Sequence, residues 1–191
     1  MNSTIRQSVS FKSLLSTVAD PFNIETSRLK LRWLSMDDAA FIYRLVNDPQ
    51  WLRFIGDKQV HDLDGARDYI ESGPRTMYQQ FGFGLNLVSL KNDTTSIGIC
   101  GLLKRDSLAE PDLGFAFLPE YRGRGYAQEA AEAVLHHGFS MPEQRRIVAI
   151  VDTGNQASIR VLEKLGFHLD RKIQTKPNGT PADLYSIHPE S

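Results

Sequence analysis

The sequence predicts an α/β fold: a mixed, mostly antiparallel central sheet flanked by helices on both faces. Three observations predict it. Apolar residues alternate with polar ones in strand-length runs up to residue 118; the hydrophobic period then changes to three and four after Pro119; and the rest of the chain interleaves strands with helices, without a long linker.

From Arg28 to Leu34, Leu29, Leu31 and Trp33 share one face and Lys30 and Arg32 the other, a half-exposed strand. Ser35, followed by Asp38, opens a helix carrying Ala39, Ile42 and Val46 on one side and ending before Asp48-Pro49. Trp51 to Gly56 is apolar and aromatic without a clear period. Asp62 to about Tyr78 reads as partly helical through Leu63, Ala66 and Ile70, with Gly73-Pro74 expected to bend or break it. Phe83, Leu85 and Leu87 mark a second strand, and Lys91-Asn92-Asp93 the turn after it. Ser96 to Leu103 and Asp112 to Leu118 are the third and fourth. Ala127, Ala130, Ala131, Val134, Leu135 and Gly138 place a small-residue stripe on a helix from Gly125 to Phe139, suited to close packing on a sheet. Ile147 to Val151 is a fifth strand. A helix from Asn155 to Leu165 buries Ile159 and Leu162 and ends at Gly166. Phe167 to Ile173 and Leu184 to Ile187 follow, parted by the turn-rich Pro177-Asn178-Gly179. Residues 1–23 read as an N-terminal extension and 24–191 as one domain, the size a 191-residue chain supports.

Composition narrows the function classes. Twenty-two Lys and Arg against 23 Asp and Glu leave a net charge of -1, which offers no global attraction to nucleic acid or an anionic membrane. No run is long and apolar enough to span a bilayer, and residues 1–20 lack the h-region of a signal peptide, so the chain reads as cytoplasmic. The single cysteine, Cys100, sits in an apolar run and reads as core. The five histidines show no metal-ligand spacing, and no metal is expected.

The chemistry concentrates in Asp112-Leu-Gly-Phe-Ala-Phe-Leu-Pro-Glu-Tyr-Arg-Gly-Arg-Gly-Tyr-Ala127, a strand, a Gly/Arg loop and a helix start. Gly123, Gly125 and Ala127 amides at a helix N-terminus form a nest for an anion such as pyrophosphate, with Arg122 and Arg124 beside it. A P-loop lysine and hydroxyl are missing, and so is the third glycine of a dinucleotide fingerprint. Glycine spacing alone fits a tight turn that merely starts a helix equally well.

The residues resemble the GNAT superfamily of N-acetyltransferases, and within it the ribosomal-protein N-terminal acetyltransferase branch. Arg122-Gly-Arg-Gly125-Tyr-Ala127 is similar to that family's acyl-CoA signature. Asn155-Gln-Ala-Ser158, continuing to Gly166-Phe167, is similar to its second motif, and Thr26 to Leu34 to its first strand. The resemblance implies a splay between the fourth and fifth strands and an acetyl-CoA co-substrate. Its pyrophosphate would lie on the segment from Arg122 through Gly123, Arg124, Gly125 and Tyr126 to Ala127. Its pantetheine arm would lie along the backbone of Phe115, Phe117 and Leu118 and against Asn155. Asn155 fits an N-cap equally well, and Arg160 and Lys164 read as a solvated face.

Transfer would then proceed by direct attack of a primary amine in a ternary complex, with a backbone N–H of the splayed strand polarising the acyl oxygen. Asp112 is the candidate base or water-orienting group, with a structural or substrate-charge role as the alternative. Ser158 and Tyr185 are candidates for returning a proton to the thiolate. Trp51, Phe54 and Tyr78 are candidates for an aromatic acceptor wall, or for packing. The acceptor is a small-molecule amine or a protein N-terminus. No direct nucleic-acid or membrane partner is expected, and the protein would be a monomer or homodimer. A non-catalytic acyl-CoA-binding regulatory module is the alternative function.

Overall fold

The computed structural model describes residues 23–142, 144–174 and 181–189. The expected extension up to residue 22 and the Pro177-Asn178-Gly179 turn lie outside the described residues. The strands are β1 (Asn23–Glu25), β2 (Leu29–Trp33), β3 (Leu85–Leu90), β4 (Ser96–Leu103), β5 (Asp112–Phe117), β6 (Ile147–Asp152), β7 (His168–Ile173) and β8 (Ala182–Ile187). The helices are α1 (Ala39–Val46), α2 (Pro49–Phe54), α3 (Leu63–Ile70), α4 (Thr76–Phe81), α5 (Tyr126–Ser140) and α6 (Gln156–Lys164).

Among the described residues the strands form one eight-stranded sheet of order β1-β2-β3-β4-β5-β6-β8-β7. Its neighbours are antiparallel except β5 and β6. The alanine stripe of α5 packs on one face, where Ala130, Ala131 and Val134 meet Leu29, Leu31, Cys100, Leu102 and Leu113. On the other, Ile42, Leu45, Trp51, Ala66 and Ile70 from α1 to α3 meet Leu85, Leu87 and Ile99. Alternating side chains along β4 thus supply two cores, as a sheet covered on both faces requires.

Three local outcomes differ from the sequence expectation. Asn23 is already paired, with Arg32 on β2, so the sheet begins before the expected boundary. Trp51 lies in α2, which Asp48 starts by accepting the amides of Gln50 (3.0 Å) and Trp51 (3.3 Å) with Pro49 in the first turn. Asp48-Pro49 therefore begins one helix as well as ending another. Gly73-Pro74 does not break the helix. The chain widens into a π-helical turn over Glu71–Arg75 and continues into α4, with the Thr76 hydroxyl donating to the Glu71 carbonyl at 3.0 Å.

Candidate active site

The site is a fork in the sheet. The β5–β6 ladder is held at Asp112↔Val148, where the Val148 amide donates to Pro111 O at 2.9 Å. The next amide, Ile150 N–H, donates instead to the Asp112 carboxylate at 3.1 Å. The side chain thus takes the place of a ladder carbonyl, and the strands part beyond it. Leu118 N–H donates to Ile97 O at 2.9 Å, so in this antiparallel register the backbone groups of Phe115 and Phe117 face away from β4, into the opening.

Asp112 is buried, at 1% exposure, and its other oxygen accepts the Arg105 Nε–H at 2.5 Å. Burial pushes its carboxyl pKa up, and Arg105 and the Ile150 amide oppose that rise. Arg105 stands on the β4–β5 loop. Lys104 ties that loop to itself by donating to the carbonyls of Leu108 and, at 2.7 Å, Ala109.

Two cavities meet at the fork. The larger, about 320 Å³, runs from Phe115, Ala116 and Phe117 to Gly123, Gly125, Tyr126 and Ala127, with α6 as its other wall. The smaller, about 180 Å³, lies toward Leu85, Ile99, Leu103, Tyr69 and Arg105. Trp51, Phe54, Ile55, Phe115, Ala116, Asn155 and Ser158 line both. The Trp51 indole N–H is buried without a partner among the described residues, an unused donor in that shared wall.

The loop at the far end of the larger cavity leaves backbone donors open. Gly123 and Gly125 hold φ of 72° and 80°, which leaves the backbone bare at the turn. Gly125 caps α5 without a side chain, so the first-turn amides of Tyr126, Ala127 and Gln128 have no side-chain acceptor and border the cavity. A Cβ on Gly123 would meet nothing within 4 Å, which leaves room for a ligand. Glu129 anchors this turn. Its carboxylate accepts from Thr26 Oγ1 (2.5 Å), Ser27 Oγ (3.0 Å), Arg28 N (2.9 Å) and Arg28 Nε (2.6 Å). Burial alone would raise its pKa, but these donors outweigh burial and hold it below the ordinary value. Arg28 also donates to Arg124 O at 3.0 Å and lies over the Tyr126 ring.

The structure separates the sequence candidates. Phe115, Phe117, Arg122, Gly123, Gly125, Tyr126, Ala127, Asn155 and Ser158 line the larger cavity, and Asp112 the smaller. Arg122 does not aim its charge at the turn: its Nε donates to Phe117 O (2.8 Å) and its Nη2 to Asp48 (2.5 Å). Arg124 is absent from the lining of both cavities, although its carbonyl helps hold the loop. Leu118 lines neither cavity; its amide is spent on β4 and its side chain is core. Asn155 Oδ1 accepts the Ser158 amide at 3.1 Å, so the cap is real, and the residue still borders both cavities.

Tyr185 lies on β8, buried in the α5-side core beside β6 and outside both cavities, because the pleat turns it inward. Tyr78 likewise leaves the acceptor wall. It stacks on Trp33 at 4.4 Å, and its hydroxyl accepts from Leu34 N–H and donates to Leu85 O. Arg160 and Lys164, read as a solvated face, stand on the larger cavity's wall. Cys100 is wholly buried, and burial pushes its thiol pKa up, as a core thiol requires. No described helix is long and apolar enough to cross a membrane.

Comparisons with known proteins agree with this geometry. The family model for the acetyltransferase (GNAT) domain matches residues 28–168. The uncharacterized N-acetyltransferase YoaA of Bacillus subtilis (strain 168) is 31% identical over 86% of this chain and 95% of its own length. An acetyltransferase structure from Agrobacterium tumefaciens str. C58 superposes with a TM-score of 0.75 at 24% identity, covering 99% of this chain and 100% of that one. A putative ribosomal-protein-serine acetyltransferase from Vibrio cholerae superposes at 0.73 and 20% identity, over 89% and 99%. Identity that low shows the fold and not the branch. The fork, the uncapped helix start and the matched segment together make this chain a member of the GNAT acetyltransferase family.

Proposed function

We propose that the protein transfers an acetyl group from acetyl-CoA to a primary amine by direct attack, with no acyl-enzyme. The observation that carries this reading is the fork: backbone groups of Phe115 open between two cavities, one ending at a helix start whose first-turn amides have no side-chain acceptor. The residues present fit acetyl-CoA. Amides of Gly125, Tyr126 and Ala127 would hold the pyrophosphate, Phe115 and Asn155 the pantetheine arm, and Arg160 and Lys164 add positive charge along that wall. Acetyl-CoA supplies the activated thioester.

The chain supplies placement. Holding the amine in the smaller cavity against the fork converts a bimolecular encounter into a local one, worth about 7–11 kcal/mol of barrier at best. The Phe115 N–H is the donor to the negative charge that develops on the acyl oxygen. Ser158, in the wall common to both cavities, relays to the leaving thiolate the proton that the attacking nitrogen sheds as the tetrahedral intermediate collapses, and so ends the step as a hydroxyl. Asp112 is read as the fork's clamp rather than the base, because one oxygen serves the Ile150 amide and the other Arg105. The proton that first makes the ammonium a neutral amine leaves through water. Direct attack accords with the only cysteine being sealed in the core.

The test is thiol release from acetyl-CoA with a panel of amines, amino acids, polyamines, aminoglycosides and free-N-terminal peptides, alongside calorimetric acetyl-CoA binding. Turnover with at least one amine, without a burst of acyl-enzyme, is expected. Tight binding with no turnover of any acceptor would replace this reading with that of a binding module.

A further inference from the structure

The smaller cavity has a chemical polarity that bears on what enters it. We infer that the acceptor is a small amine carrying a carboxylate at a distance across an apolar spacer, and that Arg105 and Tyr69 hold that carboxylate. The inference rests on the transferase reading above.

At one end of this cavity Arg105 uses Nε on Asp112, leaving its Nη fork without a protein partner among the described residues. That fork matches a carboxylate in planar, bidentate geometry. Tyr69 borders the same cavity within electrostatic reach of Arg105. Burial pushes its phenol pKa up to about 12, so it remains a neutral O–H donor. The Lys104 ties to Leu108 and Ala109 hold the loop that carries Arg105, and the Nε–Asp112 bond orients the half-exposed guanidinium.

Leu85, Ile99, Leu103 and Trp51 supply the apolar middle. At the other end stand Asp152, Asn155 and Ser158. Asp152 lies four residues along β6 from Val148, the partner of Asp112, so the two carboxylate-bearing positions are roughly 13 Å apart along the strand. Asp152 accepts the Gly154 amide at 2.8 Å and lines the cavity, so its negative charge at this end would favour an ammonium. Lys58 also borders the cavity.

A polyamine would bring a second cation to the Arg105 end. Both Asp112 oxygens are already taken, by Arg105 and the Ile150 amide, so that end offers N–H and O–H donors and no spare carboxylate acceptor to an ammonium. The volume of about 180 Å³ accepts a short chain rather than a folded segment.

The test compares ε-aminocaproate, its carboxamide, hexylamine, spermidine and a short neutral peptide by thiol release with the wild-type protein, with acetyl-CoA binding measured separately. The carboxylate is expected to exceed its carboxamide and hexylamine by about tenfold or more in kcat/KM, chiefly through KM. Arg105→Gln should erase the preference, Tyr69→Phe weaken it, and Arg105→Lys retain part of it. Equal rates for acid and amide, or a preference for spermidine or the peptide, overturns the inference while leaving the transferase reading standing. If acetyl-CoA binds and no amine turns over, the transferase reading fails and this inference with it. The comparison of acceptors needs no variant, so a misfolded Arg105→Gln protein leaves it intact.

Discussion

Asp112 spends both carboxylate oxygens inside the protein, one on the Ile150 amide and one on the Arg105 guanidinium. Its place at the head of a strand made it a candidate base, and the residue borders the smaller cavity. The identity of the groups meeting its oxygens depended on Ile150, 38 positions away, and on the loop side chain of Arg105. Neither pairing has a signature in local spacing. The two roles make separable predictions. Asp112→Asn keeps an oxygen for the Ile150 amide, so kcat should fall by less than about tenfold. Removing a true general base costs about 10²–10⁴. Asp112→Ala leaves that amide and the guanidinium unpaired and should lower unfolding free energy in urea by about 1–3 kcal/mol. A kcat loss of a thousandfold in the Asn variant would restore Asp112 as the base. Tyr185 lies outside both cavities for another reason: alternation along a strand shows that two faces exist, not which one borders a cavity.

Among the elements, the loop between β5 and α5 was the most legible. Positive-φ geometry, small residues and an alanine-rich helix are each local properties, and Gly123, Gly125 and Ala127 lie where that pattern implies. Gly125→Ala would force an alanine into the left-handed region at about 1–2 kcal/mol and bring a Cβ to 3.4 Å from the Arg28 guanidinium. Acetyl-CoA affinity by calorimetry should weaken about tenfold or more, with little change in the far-ultraviolet circular dichroism. Unaltered affinity would mean that the turn holds no phosphate. Arg122 was harder to read, because its partner Asp48 lies 74 residues earlier, in a helix that the aromatic run had concealed. The π-helical turn escaped for a related reason. Proline forbids one backbone donor but does not say whether the chain bends or widens.

Across the whole molecule, the first strand region and the start of α5 are one unit, joined where Thr26, Ser27 and Arg28 converge on Glu129. Glu129 has a folded pKa below its ordinary 4.5, so its contribution to stability is complete above that value and is lost as pH falls through the folded one. Thermal melts of wild type and Glu129→Gln should therefore differ most near neutrality and converge as pH drops below about 4.5. A gap that stays constant with pH would remove the carboxylate charge from the account. The mixed sheet and its helical layers were accessible from periodicity and from the order of elements, but the strand order was not, because β3 and β4 are buried on both faces and β7 is exposed along most of its length. The cavities were not, because they exist only where strands distant in sequence stop pairing.

The Arg122–Asp48 contact joins the turn after β5 to the helix that carries Trp51 and Phe54 in the wall common to both cavities. If ligands in the two cavities each tighten that pair, their occupancies are linked. By thermodynamic reciprocity each would then change the other's affinity by the same factor. The order in which the two substrates arrive would then alter the kinetics of assembling the ternary complex and leave its equilibrium untouched.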